Sequence, residues 1–139
     1  MIKSKKYSKI SSKLNTDYVE DTGSIDFAKS LEKRTRKFAV SIIKLSIKLP
    51  DSPEGRVIRY QVTKAGTSVG ANYREANRSR SKPDFRSKIK ICESELSETQ
   101  YWLEILTDMR WMKQESIIQE FQECSELLAI FTSISKKLN

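Results

Sequence analysis

Apolar residues return at alternating intervals of three and four along most of this chain, the pattern of helices that each bury one stripe. The clearest case runs from Pro83 to about Asp108, where Phe85, Ile89, Cys92, Leu96, Thr99, Leu103 and Leu106 keep the alternation throughout. An earlier helix is predicted from about Asp26 to Leu49, with Leu31, Phe38, Ile42, Leu45 and Leu49 on the stripe and Thr35 filling the gap. Ile43 and Ile47 widen it, which suggests contact on more than one side. Pro50-Asp51-Ser52-Pro53 stops that helix, because proline lacks the amide donor and disfavours helix for its predecessor. Ser52 is a candidate N-cap for a second helix, with Pro53 at the first helical position and Glu54 in the first turn.

That second helix is predicted from Pro53 to about Arg78, with Ile58, Val62, Ala65, Val69, Asn72 and Ala76 at the required spacing. Asn72 is a polar residue on the stripe, either a buried group that fixes register or an exposed one near a helix end. Ser79-Arg80-Ser81-Lys82 forms a short loop, and Ser81 with Asp84 resembles a capping box. Met109 to Gln114 is a loop with neither glycine nor proline. A last helix follows to about Leu138, with Ile117, Phe121, Cys124, Leu128 and Phe131 on one stripe and Leu127, Ile130 and Ile134 broadening it. Four helices with short connections predict an all-α fold, an antiparallel up-down-up-down four-helix bundle. Residues 1–25 are rich in Lys and Ser without sustained periodicity. They read as a basic, flexible leader preceding a bundle domain at 26–139, either a solvated tail or an arm that touches nucleic acid.

The stretch GTSVGANYREAN, from Gly66 to Asn77, breaks the ordinary pattern. Gly66 and Gly70 are four apart and stack on one helical face. Each glycine costs a helix interior roughly 1 kcal/mol relative to alanine, so two of them suggest that another backbone comes close. Gly66, Gly70, Asn72, Tyr73, Tyr101 and Trp102 are the candidates for close helix packing or a subunit interface; Tyr101 and Trp102 flank the seam at Leu103.

Composition adds a charge pattern. The 139 residues suffice for one domain with a real core, and 32% are charged, above the usual ~25%. The net charge of +8 points to acidic partners. Residues 56–90 hold ten Lys/Arg against two acids, and residues 92–139 hold nine acids against four bases, so one basic and one acidic face are predicted. The basic candidates are Arg74, Arg78, Arg80, Lys82, Arg86, Lys88 and Lys90. In an antiparallel hairpin they share one end of the bundle, where they can meet phosphates of RNA or DNA. The alternative is a structural or protein-interaction module whose basic face meets an acidic partner or the acidic half of a neighbouring subunit.

Catalytic chemistry finds little support. The chain has no histidine, which removes the Glu-x-x-His motif of di-iron bundles, histidine-containing zinc sites and triads with a histidine base. Gly66 and Gly70 lack the Gly-Lys-Ser/Thr ending of a phosphate-binding loop. Cys92 and Cys124 match no metal or redox spacing and read as core residues, as suits a reducing cytoplasm. No apolar run approaches the ~18 residues needed to span a bilayer. We expect no enzyme activity, no cofactor, no metal and no membrane insertion, and a cytoplasmic location.

The run SPEGRVIRYQVTKAGTSVGANYREANRSRSKPDF, followed by KIKICESELSETQYWLEIL, closely resembles the bacterial four-helix-bundle family of 23S rRNA intervening-sequence proteins. FAVSIIKLSIKLP and LLAIFTSISKKL resemble it too, so the likeness covers about residues 27–138. The loop at Met109–Gln114 departs from the glycine-containing turn common in that family. The resemblance implies a bundle often assembled as a homopentamer. It also implies a non-enzymatic accessory role, in the context of ribosomal RNA insertions or of diversity-generating retroelements. In the latter, similar proteins are the accessory variability determinant and bind a reverse transcriptase and nucleic acid.

Overall fold

A computed structural model of the protein describes residues 21–139, with side chains from residue 25 onward. It contains α1 (Asp21–Ser46), α2 (Pro53–Ala76), α3 (Lys82–Asp108) and α4 (Gln114–Lys137), with no strand among the described residues. Successive helices run antiparallel and pack side by side, and α4 returns to meet α1; the diagonal pairs α1–α3 and α2–α4 keep their backbones apart and meet only through side chains in the core, as Tyr73 and Phe131 do. This is the up-down-up-down bundle. α1 begins at Asp21 rather than near Asp26, so part of the predicted leader is helical; the rest of it lies outside the described residues.

The helix ends follow local chemistry. Ser52 is extended and its hydroxyl accepts from the Gly55 amide at 3.0 Å, with Pro53 at the first helical position. Ser81 accepts from the Asp84 amide at 3.1 Å, so α3 starts at Lys82, one residue earlier than Pro83. Side-chain oxygens thereby satisfy amides that have no partner inside the helix. A Cβ at Gly55 would run into the Pro50 carbonyl, so the tight α1–α2 turn excludes any larger residue there.

The loop without glycine solves its geometry differently. Arg110 adopts φ 60°, the left-handed region. The Arg110 amide donates to Thr107 O at 3.0 Å and the Trp111 amide to Leu106 O at 3.1 Å, which together form a Schellman motif closing α3. Glycine normally takes this position because an L side chain is crowded there.

The core runs the length of the bundle through Phe38, Ile42, Val62, Val69, Ile89, Leu96, Leu103, Leu127 and Phe131. On α2 the buried row is Val62, Ala65, Val69, Tyr73 and Ala76, so Tyr73 takes the seam position that simple spacing gives to Asn72. The Tyr73 ring meets Phe131 edge-on, with centroids 5.2 Å apart and an interplanar angle of 81°. Asn72 is half-buried and donates to Ser68 O of its own helix at 2.9 Å; it fixes no register between helices. On α4, Leu127 is fully buried, while Leu128 and Phe121 pack against the core edge.

The two glycines in the interior of α2, Gly66 and Gly70, face α1. A Cβ on Gly66 would lie 2.8 Å from Ile42 Cγ2, and one on Gly70 would lie 3.0 Å from Thr35 Oγ1 and 3.4 Å from the Thr35 backbone carbon. Their close packing is therefore within one bundle. Thr35 is buried and bonds back to Leu31 O at 2.9 Å, which satisfies its hydroxyl without a partner from α2. The cysteines also sit in the core: Cys92 Sγ bonds Val69 O at 3.4 Å and Cys124 Sγ bonds Leu96 O at 3.2 Å. Burial pushes both thiols upward in pKa, Cys124 to about 12.

Two substitutions test this account. Leu96, fully buried, should lose about 2–5 kcal/mol on replacement by alanine, read as a lower denaturant midpoint; an unchanged midpoint would show that the seam is misassigned. Arg110→Gly should relieve a left-handed strain of about 1–2 kcal/mol while adding roughly 0.4–1 kcal/mol of unfolded-state entropy. The net is a stabilisation of roughly 0 to 1.6 kcal/mol, and a lowered melting temperature would contradict it.

Candidate nucleic-acid interface at the α2–α3 end

The seven basic candidates all stand at the end of the bundle where α2 turns into α3, but they do not stand as equals. Arg78, Arg80 and Lys82 are exposed and form no ion pair among the described residues. Arg78 and Arg80 line a shallow cleft of about 500 Å3 whose other walls are Ser79, Ser81 and Lys88 together with the carboxylates of Glu75 and Asp84. Here three cations project from a turn whose backbone is fixed by Ser79 N–H to Ala76 O at 3.0 Å and by the Ser81 cap.

The remaining four have partners within the chain, although Arg74 and Lys90 are themselves exposed. Arg86 donates from Nη2 to Leu138 O at 3.0 Å, and its Nε is buried without a hydrogen-bond partner. Its guanidinium therefore closes the C-terminal end of α4, where free carbonyls and the helix dipole both favour a cation. Lys90 reaches Ser135 Oγ at 3.3 Å on the same last turn of α4. Lys88 is held between Asp84, at 3.3 Å, and Glu75, at 3.9 Å. Arg74 stands 3.9 Å from Glu32 of α1, and Asn77 Nδ2 donates to the same carboxylate at 2.8 Å. The patch available to a partner is thus narrower than the run of basic residues in the sequence.

At the opposite end, the sequence reading missed a second basic cleft, of about 640 Å3, lined by Ser46, Arg56, Arg59, Tyr60, Thr63 and Lys64. Arg59 repeats the device of Arg86: its Nη2 donates to Leu49 O at 2.9 Å, where the chain leaves α1. The signal that could have found this cleft is the spacing Arg56-Tyr60-Lys64, three residues on one helical face.

Of the interface candidates, Gly66, Gly70 and Tyr73 lie inside the bundle, and Asn72 is spent on its own helix. Tyr101 is 55% exposed. Trp102 is half-buried and donates from Nε1 to Glu98 Oε2 at 3.1 Å, with its ring edge-on to Tyr101 at 5.1 Å. Nearby, Glu95 has its pKa raised by burial and by the neighbouring Glu98, partly offset by Lys64. Among the described residues no group of three His, Cys, Asp or Glu could hold a metal ion, and no helix is long and apolar enough to cross a membrane.

Removal of Arg86 and of Arg80 should therefore differ in kind. Arg86→Ala breaks a charged hydrogen bond to the end of α4 and should cost about 1–3 kcal/mol. Arg80→Ala should stay within about 0.5 kcal/mol of the parent. Equal melting temperatures for the two variants would remove the structural role assigned to Arg86.

The family model described as 23S rRNA-intervening sequence protein matches residues 30–133. Among solved structures, a protein of unknown function from the S23 ribosomal protein family of Bacteroides thetaiotaomicron is 32% identical to this chain. It superposes with a TM-score of 0.73, over 78% of this chain and 97% of its own. No curated protein matches the chain.

Proposed function

The chain belongs to the 23S rRNA-intervening sequence protein family, and from that premise we propose that it is a non-enzymatic accessory protein that binds nucleic acid. The observation that carries this reading is the exposed trio Arg78, Arg80 and Lys82 on the α2–α3 turn, none of them in an ion pair among the described residues, while the two carboxylates of the cleft, Glu75 and Asp84, both face Lys88. Such cations suit phosphates, whose charge is repeated regularly along a strand and whose contact requires no base-reading geometry. No aromatic side chain lines the cleft beside them, so the binding is sequence-tolerant. Like the family it belongs to, the protein acts as a homo-oligomer, and several copies of a three-cation patch gain affinity together that one copy lacks.

Fluorescence anisotropy with mixed-sequence RNA and DNA probes tests the proposal. Binding should weaken linearly in log–log form as salt rises. For duplex DNA the slope should be about −2.7 per subunit engaged, from roughly −0.9 for each of three phosphates. Arg78→Glu combined with Arg80→Glu should abolish binding with helical content unchanged. Failure of both RNA and DNA to bind at low salt, or full binding by the double variant, would overturn it. The basic turn would then be a surface for an acidic protein.

A further inference from the structure

The cleft between the end of α1 and the first half of α2 differs in kind from the one on the α2–α3 turn. Its walls are Ser46, Arg56, Arg59, Tyr60, Thr63 and Lys64, with no carboxylate among them, whereas the cleft on the turn includes Glu75 and Asp84. From Tyr60 to the end of α2 at Ala76 the helix rises roughly 24 Å. A small ligand in one cleft therefore does not reach the other.

The cations of this cleft lack a settled partner. Arg59 is half-buried, and its Nη2 donates to Leu49 O at 2.9 Å and to Pro50 O at 3.4 Å, which holds the guanidinium in one orientation. Its Nε is enclosed without a hydrogen-bond partner, and no carboxylate pairs with the group among the described residues. Positive charge held partly away from water without a counter-ion is costly, and an anion in the cleft relieves that cost. Lys64 is exposed and forms no ion pair; Glu95 of α3 feels its charge only at longer range. Arg56 meets Asp51 at 3.0 Å, but the two side chains are 57% and 82% exposed. A pair of that kind is weak in water, so a bound anion competes with it readily.

Tyr60 supplies something that a bare anion does not use. Its ring is 62% exposed, and it stands between Arg56 and Lys64 on one face of α2, four residues from each. An exposed aromatic ring beside phosphate-binding cations is a platform for a flat heterocycle. We propose that this cleft binds a nucleoside phosphate, with the phosphate on Arg59, Lys64 and Arg56 and the base against Tyr60. The cleft's volume of about 640 Å3 lies within the usual range for small-ligand sites, roughly 300–1,000 Å3. A nucleoside phosphate comes either free or as the phosphorylated end of a strand, and both present the same chemistry to these residues. The site goes beyond the strand-binding turn and does not depend on it.

Isothermal titration calorimetry on the full chain with AMP, adenosine and inorganic phosphate tests this, together with Tyr60→Ala and Lys64→Ala. Both positions are exposed, and circular dichroism checks that folding is retained. AMP should bind once per chain and more tightly than adenosine or phosphate. Tyr60→Ala should weaken AMP about fivefold or more and leave phosphate unchanged, while Lys64→Ala should weaken both about tenfold. The Arg78→Glu, Arg80→Glu double variant should bind AMP as the parent does, so loss of strand binding at the turn leaves this site standing. In that double variant, a tetranucleotide with and without a 5′-phosphate identifies the source. Tighter binding of the phosphorylated strand than of AMP assigns the site to strand ends, and the reverse assigns it to free nucleotides. Failure of both AMP and the phosphorylated strand to saturate the protein by about 5 mM would overturn the proposal. So would AMP binding no tighter than phosphate, AMP binding unchanged in Tyr60→Ala or Lys64→Ala, or AMP binding lost in the double variant.

Discussion

Everything in this bundle depends on burying four apolar stripes against one another, since a helix of about 25 residues rich in charge has little reason to persist alone in water. The stripes do not contribute equally. The α1–α2, α2–α3 and α3–α4 neighbours pack along their lengths, and α1 and α4 close the ring with the least extensive contact. That last seam is reinforced by polar chemistry. Arg34 forks onto Glu123, at 2.7 and 2.8 Å, and reaches Glu126 at 2.6 Å, and the bond to Glu123 raises the guanidinium's pKa above its ordinary value. A two-point Arg–carboxylate pair holds geometry better than a single contact. Its partial exposure limits what it adds to stability, so its main effect is on the register of α1 against α4.

Close approach of α1 and α2 is the other requirement, and it is met by omission. With no side chain at Gly66 and Gly70, Ile42 and Thr35 fill the space where Cβ atoms would sit. The helix tolerates the cost of two glycines because both are covered by packing on that side. The same closeness lets Ser46 of α1 share one cleft with Arg56, Arg59, Tyr60, Thr63 and Lys64 of α2.

Much of this was legible in the sequence. The alternation of three and four identified nearly every buried residue of α1 and α3, and the serine–proline pairs marked two helix starts. Where the reading slipped, the reason was geometric. A helix has 3.6 residues per turn, so a strict alternation drifts; on α2 the buried row passes through Tyr73, and on α4 through Leu127. The end of α3 at Asp108 was legible, but without a glycine nothing in the sequence showed that Arg110 would take the left-handed conformation that closes it. The basic end was legible as a location but not as a set of free charges. Nothing near Arg86 in the chain reveals that it serves Leu138, 52 residues away, because the partner is a backbone carbonyl and carries no sequence signal.

That division of the basic residues bears on how a protein of net charge +8 keeps its fold and still offers a cationic surface. Arg86 covers a carbonyl at the end of α4, where the peptide dipoles leave negative charge, and Arg59 covers carbonyls of the turn that follows α1, so two positive charges are absorbed by the backbone. Lys88 is absorbed by two carboxylates. Repulsion within the α2–α3 end is thereby reduced before any partner arrives, and the charges left over are those on the turn itself. A turn capped at both sides holds its backbone while its long side chains stand exposed, which suits contact with a repeating anion more than recognition of a single shaped ligand. The structure thus separates cations that hold helices from cations that face outward.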